Sequence, residues 1–320
     1  MKSRSIFIAL ALTLVCFAQV FAQRDRAFVS TSGADTINCG DQTSPCRSFS
    51  GALAALSSGG SAIALDSGIY DAVNISITKS ATLMAAPGVH AELFNNYINP
   101  DRITVNAGAT SRVTLKNLYI TNLSGEFAGQ GNGIKVTSVG VLQIENCVVD
   151  GFSTGVSVSL THAAQISIKD TIIRNNSIFG AAFDTTTGIL KGSIDNCHFD
   201  NNAGTDLDIA AGLLVGKHSR VTIRDSVATG NSGAGFLALD DKAEMNLERC
   251  ESSNNRDGVR AWNYIEGAVT TTTVSNSIIT SNSRNGFSQQ GAAVFQSMVN
   301  NTVRHNGTNT VGTIGAVSGT

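Results

Sequence analysis

The chain has 320 residues, 42% of them hydrophobic, which is enough to bury a continuous core and too much for a disordered segment. Only 14% are charged and the formal net charge is -2, so the clustered Lys and Arg excess required by nucleic acid or an anionic membrane surface is missing. Gly supplies 32 residues and Pro 3, a balance that suits many short strands and tight turns rather than helices.

The first stretch, "MKSRSIFIALALTLVCFAQVFAQ", joins a Lys/Arg start, an apolar run from Ile6 to about Phe17 and small Ala22 before Gln23. That is the pattern of a cleavable secretory signal over residues 1–22. The run is shorter than the roughly 20 residues that span a bilayer, and no later segment reaches that length. The mature chain is therefore expected to be secreted, to the periplasm or beyond, with no membrane span. Residues 23–60 read as an N-terminal cap. "NCGDQTSPCRSF" places Cys39 and Cys46 in a polar loop of an exported chain, where a disulfide between them is expected. "SFSGALAAL", residues 48–56, is the one short helical pattern, and an amphipathic helix here suits the covering of a solenoid's open end.

From residue 61 to 310 the organisation is repetitive. A phrase recurs as "LKNL" at 115, "IENC" at 144, "IKDT" at 168, "IDNC" at 194, "IRDS" at 223, "LERC" at 247, "VSNS" at 274 and "VNNT" at 299, a period of about 26 residues. Apolar residues alternate around it, as in "VTIRDSVA", and a Gly then precedes a second alternating run such as "GVSV", "GFLAL" or "GVRAW". Period two means strand, and turns this short leave no room for helical crossovers, so like strands stack in parallel, coil on coil. The prediction is an all-β parallel β-helix of about ten coils with a short capping helix. Residues 311–320 lose the apolar rhythm and are expected to form a tail draped over the far end.

Stacking places equivalent residues about 4.8 Å apart and makes ladders. One ladder is expected at Cys147, Thr171, Cys197, Ser226, Cys250, Ser277 and Thr302; its cysteines fall on alternate coils, about 9.6 Å apart, and should be buried free thiols. A second, Asn176, Asn202, Asn231, Asn255 and Asn282, suits a turn in which amides bond along the stack and Asn tolerates the left-handed backbone.

The coil phrase, the Gly-led runs and the capped N-terminus resemble right-handed parallel β-helix proteins of the pectin-lyase-like superfamily. "RAFVSTSGADTINCGDQTSPCRSFSGAL", "ITKSATL" and "VNNTVRHNGT" are similar to exported bacterial members whose function is generally unassigned. The resemblance implies right-handed coiling and export. It does not give an activity, because the superfamily spans lyases, hydrolases, epimerases, adhesins and phage spikes. Of the polygalacturonase-like constellation only Asp240-Asp241 is present, with Gly-His-Gly and Arg-Ile-Lys missing. "RDGVR", residues 256–260, has two Arg but neither the spacing nor the Pro of the pectate-lyase segment, and the Asp-Pro-His-Asp signature is absent.

Two functions stay open: a non-catalytic extracellular module binding polysaccharide or a cell-surface glycan, and a polysaccharide lyase or glycoside hydrolase. Read by alternation, the outward positions of the Gly-led strands give Asp184, then Asp206 and Asp208, then Asp240, then Arg260 and Trp262, candidates to line one groove on four consecutive coils. Carboxylates there would match the separations of paired glycosidase acids. Arg260 is a candidate base or carboxylate clamp and Trp262 a platform for a sugar ring. The plainer reading is that the Asp residues solubilise strand ends, Arg260 pairs with an acid across the rung, and a one-residue slip turns all of them to the other face. His90, His162, His198, His218 and His305 sit at different phases of the repeat, so no metal is assigned, and Ca²⁺ enters only with a lyase. Monomer and homotrimer are equally compatible with the sequence.

Overall fold

Period-two alternation becomes strand throughout. The computed structural model describes residues 24–71, 74–94, 101–122, 129–265 and 267–317, so the expected signal, residues 1–22, lies outside them. Each regular coil contributes three strands. The first ends in the recurring phrase, as in Ala164–Lys169, Leu190–Asp195 and Ser219–Arg224. A strand of three residues follows, as in Ile172–Arg174 and His198–Asp200. The third is the Gly-led strand, as in Phe179–Thr185, Ala234–Leu239 and Asp257–Asn263. Each pairs in parallel with its equivalent in the next coil, Ile194 with Ile223, Phe199 with Ala228 and Phe236 with Val259. The short strands make one ten-stranded sheet; the other two sets are joined by the long strands Ile103–Lys116 and Asn132–Glu145, which bend through both. The core is the bore of this tube, filled by Ile144, Ile168, Ile194, Ile223, Leu247 and Val274 from one side and Phe183, Phe199 and Phe236 from the others.

Left-handed residues make the corners. The third residue of the phrase takes φ near +50° in Asn117, Asn146, Asp170, Asn196, Asp225, Arg249 and Asn276, a conformation that Asn and Asp tolerate best. The second corner uses Asn175, Asn201, Gly230, Asn254, Ser281 and His305. The left-handed backbone thus falls one residue before the asparagine ladder, not on it.

That ladder is a continuous amide chain. Nδ2 of Asn176, Asn202, Asn231, Asn255 and Asn282 donates to Oδ1 of the next Asn at 2.9, 2.9, 2.8, 3.2 and 2.9 Å, the last step reaching Asn306. Against it lies a row of glycines. A Cβ on Gly180, Gly212 or Gly258 would stand 2.3 to 2.7 Å from the carbonyl oxygen of the next glycine and within 3.0 Å of an amide of the ladder. The strand-leading Gly is therefore required by close approach.

Cys147, Cys197 and Cys250 are buried free thiols, as the sequence implied. Their backbone N–H groups donate to the hydroxyls of Thr171, Ser226 and Ser277 on the next coil. The last rung differs from the expectation. Ile278 pairs with Thr302 and the Ser277 amide donates to Asn301 Oδ1, so Asn301 closes the ladder and Thr302 is exposed one residue further on. The final phrase is shifted by one residue.

At the N-terminal end Arg24–Val29 and Leu56–Ala64 already stack in parallel, so the cap carries sheet as well as helix. The helix, Phe49–Ala55, buries Phe49, Ala52 and Leu53 and is N-capped by Ser48, whose hydroxyl accepts from the Gly51 amide. Asp71 accepts the Phe49 and Ser50 amides, and Cys39 is bonded to Cys46 beside it. At the other end Ile314–Val317 continues the stack, pairing with Phe295–Met298, so this part of the expected tail is a strand.

Candidate functional site

The outer side of the Gly-led sheet carries one row per coil: Ala182, Leu214, Leu237, Arg260 and Ser288 are successive partners. Its middle is apolar. Ala211, Ala234, Leu237 and Leu239 pack together outside the bore with Ile209, Leu214 and Trp262 against them. Such a patch on a strand's outer face needs a cover, and residues 203–210 supply it. Residues 205–209 form a turn in which Asp206 Oδ1 accepts the Asp208 amide at 3.1 Å and the Asp206 carbonyl accepts the Ala210 amide at 2.9 Å.

This turn brings Asp208 onto three arginines from later coils. Arg256 Nη1 stands 2.9 Å from Asp208 Oδ1, Arg284 Nη1 3.5 Å and Arg260 Nη1 3.6 Å, while Arg260 Nη1 also donates to the Asp208 carbonyl at 2.6 Å. Arg260 is almost wholly buried, with Nη2 donating to Gln290 Oε1 at 2.6 Å and its guanidinium carbon 4.4 Å from the Trp262 ring centre. Tyr264 lies beside that ring, centroid to centroid 5.6 Å, and is exposed. Arg284 also grips the buried Asp257, donating through Nε at 2.9 Å and through Nη2, and Asn285 Nδ2 bonds the same carboxylate.

The electrostatics follow from these contacts. Desolvation, the largest single influence, works against ionisation of Asp208, but together the Arg256 hydrogen bond and the charges of Arg256, Arg260 and Arg284 outweigh it and hold its carboxyl below the ordinary value. Burial lowers Arg260, with Asp257 opposing. The hydrogen bond to Asp257 raises Arg284.

The six candidates from the sequence therefore separate. Asp208, Arg260 and Trp262 meet. Asp206 serves its own turn. Asp184 and Asp240 stand at the far ends of their strands, on the flank of Lys217. Lys217 Nζ is 3.9 Å from Asp240 Oδ2. Desolvation and the Asp240 charge raise the Asp184 carboxyl against the pull of Lys217. The single groove on four coils is not formed, for a local reason: the strand-leading glycine of this coil is Gly212, in Ala211–Val215, so residues 203–210 are an insertion and Asp206 and Asp208 are not on a strand. Arg284, Asp257 and Gln290 were missed. For Arg284 and Asp257 the signal is the pair "RDG" at 256 and "RNG" at 284, which puts Arg two residues ahead of the Gly in consecutive coils, and Gln290 carries no such signal.

Elsewhere the surface has a depression of about 350 Å³ lined by Arg112, Gln143, Gln165, Lys191 and Ser193, and one of about 400 Å³ lined by Asn117, Tyr119, Asn146 and Asp170. Among the described residues the one grouping with metal-ligand spacing is Asp35, Cys39 and Cys46, whose two sulfurs are consumed by the disulfide. No helix among the described residues is long and apolar enough to cross a membrane.

Solved structures with similar coiling include a pectate lyase, Pel9A, at 17% identity and a TM-score of 0.52 over 90% of this chain and 71% of that one. A complex of XylC with xylose is similar at 11% identity and a TM-score of 0.57, over 89% and 69% of the two chains. At these identities the likeness is one of fold. No curated protein matches the chain. The family described as "Right handed beta helix region" matches residues 132–308, more than half of the sequence and the whole of the regular ladder region, and the chain belongs to that right-handed parallel β-helix family.

Proposed function

We propose that the chain is an exported recognition module that binds an anionic polysaccharide or surface glycan through the outer face of its Gly-led sheet. The observation that carries this reading is the convergence of Arg256, Arg260 and Arg284 beside Trp262 and Tyr264. Guanidinium forks match the oxyanions of acidic sugars, and flat aromatic rings match their apolar faces. The disulfide of Cys39 and Cys46 and the apolar N-terminal run support export, because such a bond persists in oxidising compartments. The similar structures, a pectate lyase and a complex with xylose, agree with a saccharide ligand.

A lyase is the second reading, favoured by the burial that lowers Arg260. It calls for turnover, and Ca²⁺ would belong to it. Isothermal titration with uronate-containing, sulfated and neutral polysaccharides, with and without Ca²⁺, tests the binding reading. Absorbance of unsaturated uronate products tests the other. Binding without turnover, weakened at least tenfold in Arg284→Ala and retained towards acidic polymers alone, is the expected result. Turnover lost in Arg260→Ala establishes the enzyme, and silence in both assays, from the wild type and from Asp208→Asn alike, removes the glycan reading.

A further inference from the structure

The arginine site is already occupied by the protein itself. Asp208 is the acid on which three guanidiniums converge, and it is offered by a turn rather than by the rigid coil. The base of that turn is fixed. Ser232 Oγ accepts the Gly204 amide at 2.8 Å, and the Ala234 amide donates to the Ala210 carbonyl at 2.9 Å. Between these anchors Asp206, Leu207 and Asp208 are exposed, and Asp208 is the residue through which the turn holds the arginines. Its side chain is 54% exposed while those of Arg256 and Arg260 are 25% and 3% exposed, so the carboxylate is the water-facing partner of these pairs.

On the outer row next to Asp208, two buried polar atoms have no partner among the described residues: Nε of Arg260, and Oγ of Ser288 one coil further on. The two residues are register partners on adjacent coils, 2% and 0% exposed. Buried donors without an acceptor carry a desolvation cost, and here two lie on neighbouring rungs beside a cationic cluster, where an oxyanion reaching them would satisfy both. Asp208 reaches the outer nitrogens of the arginines and leaves these two unmet.

We propose that Asp208 is an internal competitor: its carboxylate fills an oxyanion site built by Arg256, Arg260, Arg284 and Ser288, and a carboxylate or sulfate group of the ligand displaces it by opening the turn at residues 205–209. This rests on the anionic-glycan reading above and adds a latch to it. The shared ligand chemistry is an oxyanion presented by a polymer. The latch explains why a protein with a concentrated cationic site presents a compensated surface until an anion competes.

The test uses the full secreted chain with polygalacturonate oligomers as the carboxylate probe, dextran sulfate as the sulfate probe and neutral dextran as control, titrated at low ionic strength. Asp208→Asn removes the competing charge and keeps the backbone carbonyl that Arg260 binds, and it is expected to tighten binding of one charged probe by about fivefold. Hydrogen exchange of the wild-type chain needs no variant: amides of 205–209 should exchange faster with the charged probe bound, while those of the neighbouring Gly-led strands do not. Binding by Asp208→Asn alone also supports the latch, as a site closed in the wild type. Wild-type binding that Asp208→Asn leaves equal or weaker, with exchange at 205–209 unchanged, overturns the latch and leaves glycan recognition standing. Absence of binding by both proteins overturns both.

Discussion

The alternation of Cys with Ser or Thr in one ladder is chemically coherent. Each thiol donates to the carbonyl two residues back, Cys147 to Glu145, Cys197 to Asp195 and Cys250 to Glu248, and the hydroxyls of Thr171, Ser226 and Ser277 make the same bond from the intervening coils. Either group fits one inward corner, so Cys250→Ser should cost only about 1 kcal/mol in a chemical denaturation series. Burial pushes the thiols of Cys147 and Cys197 from 9.0 to about 12 and that of Cys250 to about 11. Raised folded values place the stabilising contribution below the unfolded value. Stability should be whole below pH 9 and fall as pH rises through 9 towards 11 and 12, because the unfolded chain then releases protons that the folded chain keeps. Thermal melts across this range should show a steeper alkaline decline in the wild type than in a variant carrying Ser at all three positions. Equal slopes would show that the thiols do not set it. A thiol reagent should label none of the three before unfolding.

Single elements are held by what repeats across coils. From Asn202 onward in the asparagine ladder each Oδ1 takes two bonds from the coil below: Asn231 Oδ1 accepts the Asn202 amide and Asn202 Nδ2, both at 2.9 Å, while Asn231 Nδ2 also bonds the Phe199 carbonyl. Asn231→Ala strands two buried donors and a buried acceptor at once, so a loss of about 3 kcal/mol is expected by urea unfolding. An effect below about 1 kcal/mol would show that water replaces the amide inside the wall. These elements were legible in the sequence for a physical reason: alternation, corner Asn and strand-leading Gly are each dictated locally, and stacking then copies them. The site was not legible to the same degree. Placing Asp206 and Asp208 on a Gly-led strand turns the loop into a strand, whereas the apolar run "GLLV" from Gly212 is the one that matches and pairs with "GFLAL". The nearness of Asp208 to Arg284, 76 residues apart, exists only once the register of all intervening coils is set.

Over the whole molecule, a stack of coils is stabilised by neighbours, and an end coil has a neighbour on one side only. The N-terminal end answers this with local devices: the helix Phe49–Ala55 buries its apolar side, Asp71 holds its first amides, and Cys39 is tied to Cys46 across seven positions. A loop this short still removes appreciable unfolded-state entropy, about 2.5 kcal/mol. In a compact two-state domain that loss would be shared by every residue. In a solenoid it should stay where the bond is, because the cap touches the first coils and not the arginine-bearing ones. Replacing Cys39 and Cys46 by Ser is therefore expected to speed hydrogen exchange about 70-fold in the strands and helix between residues 24 and 64, with the Gly-led strands from 234 to 291 unchanged. Acceleration of the same size in all coils would mean that the tube opens as one cooperative unit. The cap would then support the distant arginine cluster energetically, and loss of the disulfide would loosen the strands there as well as at its own end.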